Sequence, residues 1–149
     1  MKLSKTLFAA PLLAGLALAV FAPQPIEARQ DGHEEGPVAK QMEVLGGNIR
    51  KLGKSIGSEE KRDETLATLA TMQAAALEAK NHDPAKLASL PEKEQARFRA
   101  SYRKDMGTFV KSLIDIEHLV LDGKYDDAQK AIRSQVLPLR NDGHDKYQD

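Results

Sequence analysis

Met42 and His144 are the side chains in this sequence best suited to hold a metal between them. A thioether sulfur and an imidazole nitrogen are both neutral donors to a transition-metal ion. Neither is diagnostic alone, because a methionine usually fills a core and a histidine near a chain end is usually solvated. Composition narrows the field. With no cysteine in 149 residues, disulfides, thiolate nucleophiles, zinc–thiolate sites, iron–sulfur clusters and covalent haem attachment through C-x-x-C-H are all excluded. No Glu-x-x-His occurs anywhere, so the carboxylate–histidine pairs of a di-iron bundle are missing too. Lysine plus arginine and aspartate plus glutamate balance at 22 each, which gives no reason to expect nucleic acid as a partner.

The elements that must position such a pair read as helices. Val38, Met42, Leu45, Ile49, Leu52 and Ile56 recur at spacings of 4, 3, 4, 3 and 4, a narrow apolar seam on one helical face. Gly46, Gly47 and Gly53 interrupt it. Each glycine costs about 1 kcal/mol in a helix interior, so packing must offset that or something must need the space. Gly57 and Ser58 end this helix and open the next, with Ser58 as N-cap ahead of Glu59 and Glu60. The second helix carries Leu66, Leu69, Met72, Ala76 and Leu77 and runs to about Lys80. Pro84 and Pro91 mark a longer loop. A third helix begins near Glu92, carries Phe98, Tyr102, Met106, Phe109 or Val110, Leu113, Ile116 and Val120, and stops at Gly123. A fourth starts almost at once with Tyr125, Ala128, Ile132 and Val136 and runs to the chain end. Strand signals are absent. The expected fold is all-α: an antiparallel up-down-up-down four-helix bundle over residues 37–149.

In that topology the first and last helices are antiparallel neighbours. Met42 lies about one and a half turns into the first, and His144 about one and a half turns before the end of the last. Their depths match. Facing each other across a bundle, they form a pair that haem iron accepts as axial ligands. The same end holds Ala74, Ala75, Ala76 and Ala79 of the second helix, which are expected to leave room. Phe98, Tyr102 and Met106 of the third can pack on a porphyrin face or edge.

Three segments resemble the cytochrome b562 family, soluble periplasmic b-type haem proteins: MEVLGGNIRKL around Met42, TMQAAALEAKNHDPAKL, and GKYDDAQKAIR with RNDGHDKY. That family is itself a standard example of the up-down-up-down bundle, so fold and resemblance are not two independent findings. The resemblance implies Met42 and His144 as axial ligands of one non-covalent haem b, and an electron carrier rather than an enzyme. Arg140, one turn before His144, becomes a candidate at the haem edge. So do Arg97, Arg99, Arg103 and Lys104, which otherwise read as a solvated basic face able to dock an acidic redox protein.

The sequence departs from the family at three places. The last two residues are Gln148 and Asp149, where the family has a basic residue able to meet a propionate. Tyr102 and Met106 stand where it tends to have phenylalanines. The fourth helix is one residue longer between Gly123 and His144 and contains Pro138. In a regular helix, the seam through Ala128, Ile132, Val136 and Leu139 leads to Gly143 and leaves His144 about 100° off the core line. A one-residue bulge or kink marked by Pro138 would bring Arg140, His144 and Tyr147 onto it.

Residues 1–28 read as a secretory signal peptide, with Lys2 and Lys5 ahead of an uncharged apolar run from Leu7 to Ala22. Cleavage after Ala28 is preferred over Ala22, which would leave Pro23 at the new terminus; an uncleaved anchor is the rival reading. Residues 29–36 form a charged leader containing His33, able at most to bind a stray metal ion. His82 is expected in solvent, and His118 at the opposite end from the site. The expectation is a periplasmic monomer with no stable membrane association, exchanging electrons with redox proteins the sequence does not name. The alternative is a haem-free bundle acting in periplasmic interaction or stress binding.

Overall fold

The computed structural model describes residues 36–148. The signal peptide, its cleavage site, nearly all of the leader with His33, and Asp149 lie outside them. Four helices follow in order. Helix α1 spans Pro37–Ser55 and α2 spans Arg62–Asn81. Helix α3 spans Glu92–Leu121. The fourth, α4, is continuous but has three parts: an α-helical Tyr125–Ala131, a π-helical Ile132–Val136 and an α-helical Leu137–Tyr147. Consecutive helices pack side by side, which gives the expected up-down-up-down bundle, and no strand occurs among the described residues.

Local chemistry sets the boundaries. Pro37 opens α1 at a position whose N–H would have no helical partner. The α1–α2 connection differs from expectation. Ser58 makes no side-chain cap bond; its carbonyl instead accepts from Lys61 N at 3.2 Å, starting a 3₁₀ turn over Glu59–Lys61. The α-helix proper begins at Arg62, with Asp63 and Glu64 in its first turn. Gly123 ends α3 as expected. It takes φ +73°, the left-handed region that favours glycine, and Lys124 N reaches back to Leu119 O at 2.8 Å.

The fully buried core is mainly aliphatic, with Leu52, Ile56, Leu69, Met72, Leu113, Ile116, Val120 and Val136 joined by Tyr102, Thr65 and Ser55. All four helices contribute to it, but unevenly along their length. The Leu137–Tyr147 segment buries no residue at all. Helix α1 packs closely on α2, whereas its backbone approaches α4 least among the adjacent pairs. A cleft therefore opens along the α1–α4 seam.

Candidate functional site

The cleft widens at the end of the bundle where α1 begins and α4 finishes. A cavity of about 130 Å³ opens there into a space of about 800 Å³ that includes the solvent-open mouth. Three helices wall it. Val38, Met42, Leu45, Gly46 and Ile49 come from α1, one face at helical spacing. Tyr102, Asp105, Met106 and Phe109 come from α3. Leu139, Arg140, Gly143, His144, Tyr147 and Gln148 come from the end of α4 and just beyond, and Pro84 closes one edge. Most of this surface is apolar, with a few polar groups at its margin.

His144 faces this cleft because α4 is irregular. In the π segment, Leu137 N–H bonds Ile132 O, an i→i+5 step that takes up one extra residue. Pro138 follows at once and has no N–H to give. The bulge thus lies just ahead of the proline, and it turns Arg140, His144 and Tyr147 toward the cleft. His144 is half-buried, and its Nδ1 is hydrogen-bonded to the side-chain carbonyl Oε1 of Gln148. With the proton on Nδ1, that bond leaves the Nε2 lone pair free for a metal.

Two glycines fit the site to a flat guest. Gly46 on α1 and Gly143 on α4 both line the cleft, and a Cβ added at either would meet no protein atom within 4 Å. These glycines therefore do not let helices touch; they clear space between the walls. Two neutral donors, an apolar lining and this cleared gap suit a haem.

All five residues selected from the sequence, Met42, Tyr102, Met106, Arg140 and His144, line the one cleft. Tyr102 is 2 % exposed, and its hydroxyl donates to Ala79 O at 3.0 Å. Burial pushes this phenol up to about 12, with further upward contributions from Tyr147 and Asp83. Tyr147 is likewise pushed up to about 12, first by burial. Arg140 lies exposed at the mouth with only a 3.4 Å contact to the Asn141 side chain.

Other expectations need correction. The alanines of α2 do not line the cleft: Ala75, Ala76 and Ala79 are buried in the core and Ala74 is exposed. Their small size lets α2 pack closely, so the room comes from the α1–α4 gap instead. Phe98 is not in the wall; it packs edge-on against Tyr147 with ring centroids 5.3 Å apart. None of Arg97, Arg99, Arg103 and Lys104 reaches the cleft, and Arg99 is held by Asp83 through two 2.8 Å bonds. That pairing holds the Asp83 carboxyl below the usual carboxylate range. His82 pairs with Glu78 at 2.9 Å.

Sequence reasoning did not select Asp105, Gly143, Gln148 or Pro84. Their approach depends on how α3 and the α2–α3 loop sit against the end of α4. The interruption at Gly46 was a usable signal, since nothing in the periodicity needed it. The Gln148 backbone carbonyl accepts from Lys86 Nζ at 2.9 Å, so a cation of the α2–α3 loop lies at the end of α4.

Fold and cleft together define an all-α four-helix bundle with an apolar cleft at one end. The Cytochrome b562 family model matches residues 37–148, so the chain belongs to the cytochrome b562 family, whose members bind b-type haem and carry electrons. No curated protein matches the chain. No helix among the described residues is long and apolar enough to cross a membrane.

Proposed function

We propose that the chain is a periplasmic electron carrier that holds one haem b without covalent attachment, with Met42 and His144 as its axial ligands. The observation that carries this reading is that both donors line one cleft from opposite helices, with Gly46 and Gly143 leaving the gap between them. When bound, the haem supplies one-electron iron chemistry at a potential that thioether ligation raises relative to bis-histidine ligation.

The chain's own residues do the rest. By accepting from a protonated Nδ1, Gln148 would orient His144 so that Nε2 meets the iron. Tyr102, Met106, Phe109, Leu45 and Ile49 exclude water from the apolar faces. Arg140 and Lys86 bring positive charge to the mouth, where acidic groups of the ligand would lie. With both axial positions occupied by protein, no position is open to a substrate, which fits a carrier and not an enzyme. The apolar N-terminal run supports export, and with no cysteine, retention depends on ligation and packing alone.

The test is a spectrum. Haem added to the purified protein is expected to give a low-spin, six-coordinate signature in both oxidation states, and Met42→Ala and His144→Ala should each abolish it. Failure of the unsubstituted protein to bind haem at micromolar concentration would overturn the reading.

A further inference from the structure

Asp105 is the one acid in the cleft wall among the described residues. It lies on α3 and is half-buried. Tyr147 OH donates to its Oδ2 at 2.7 Å, and Lys146 Nζ reaches the same oxygen at 3.2 Å. Ser101 Oγ lies 3.0 Å from the Tyr147 oxygen. The Tyr147 ring stands edge-on against Tyr102 and Phe98, with centroids 5.1 and 5.3 Å away. Tyr147 is three residues beyond His144, so the two share one face of the helix.

This cluster acts where the core grips least. The Leu137–Tyr147 segment has no fully buried residue, and Leu137, Leu139 and Tyr147 are only partly buried against the core. At its start the π turn and Pro138 interrupt the regular hydrogen-bond ladder. At its tip the attachments are the Tyr147 hydroxyl, Lys146 and the Lys86 bond to Gln148 O. The phenol–carboxylate bond is the shortest of these, and it is charge-assisted.

We infer that Asp105, acting through Tyr147, is a positioning residue for His144. It fixes the rotation of the last helical segment so that the imidazole faces Met42 before haem arrives. The inference rests on the axial-ligand reading above. A ligand held in place beforehand loses less freedom on binding, so the bond shows itself as haem retention and complete six-coordination.

The experiment compares the unsubstituted protein with Tyr147→Phe, Asp105→Leu and Asp105→Asn, each loaded with haem. Two quantities are read: the rate of haem loss to excess apoglobin, and the five-coordinate high-spin fraction of the ferric spectrum. Tyr147→Phe keeps the ring packing and loses only the hydroxyl. It and Asp105→Leu should lose haem about five- to tenfold faster and show a high-spin fraction that the unsubstituted protein lacks. Asp105→Asn keeps an acceptor oxygen and should stay within about twofold of the unsubstituted protein. Thermal unfolding of the haem-free variants checks that each folds, and Tyr147→Phe serves should Asp105→Leu fail to fold. Haem loss and spectrum unchanged in Tyr147→Phe would overturn the positioning role, as would Asp105→Asn behaving like Asp105→Leu. Failure of the axial reading looks different, because there the unsubstituted protein shows no six-coordinate haem.

Discussion

The two ends of this bundle are built from the same four helices and yet differ in kind. At one end Leu52, Ile56, Ile116, Val120, Ala128 and Val136 are each 1 % exposed or less. At the other, Val38, Met42, Leu139 and Tyr147 are only partly buried, and the last eleven helical residues bury nothing. This second end has apolar walls, cleared by two glycines, that no protein atom fills. The contrast teaches that the closed end carries the stability of the fold and the open end is reserved for a ligand.

That division can be broken in three ways. The largest effect is expected at the closed end. Ile116→Ala removes a fully buried side chain and should cost about 2–5 kcal/mol in denaturant unfolding of the haem-free protein. The spectrum of its haem-loaded form should stay low-spin. A lost spectrum would mean that the two ends are not separable.

A middle-sized effect is expected from pH. Burial raises Tyr102 to about 12 from an ordinary value of 10.0. Its neutral form is favoured in the folded state, so its contribution is complete below about pH 10 and is lost as pH rises through about 12. Unfolding free energy should fall by on the order of 2 kcal/mol across that window. Tyr102→Phe should reduce the slope and leave the share due to Tyr147, which titrates in the same window; an unchanged slope would show that the Tyr102 phenol is not a cause.

The smallest effect sharpens the comparison most, because its sign differs between states. Gly46→Ala places a methyl in open space, so it should stabilise the haem-free helix by about 1 kcal/mol. The same methyl intrudes on the cleft and should weaken haem binding. Stabilisation without loss of affinity would show that the gap at Gly46 is not part of the site.

Much of this was legible in the residues. The 4–3–4 seam from Val38 to Ile56 marks α1, and its members Val38, Met42, Leu45 and Ile49 line the cleft. Gly123 marks the end of α3 because only the left-handed region fits there. The misfit between the α4 seam and His144 foretold an extra residue near Pro138, and the π turn supplies it. What was not legible is equally particular. The alanines of α2 read as space and prove to be contact. Ser58 reads as an N-cap and proves to open a 3₁₀ turn. Phe98 reads as a wall residue and stands behind Tyr147 instead.

By itself the sequence determined the helices, their order and the depth at which Met42 and His144 stand, since periodicity and breakers act over a few residues. Tertiary structure alone decided which gap stays open and which acid meets Tyr147. Those outcomes depend on contacts between residues 40 or more positions apart, as between Asp105 and Tyr147. No local pattern encodes the distance between two helices; packing of the whole core sets it.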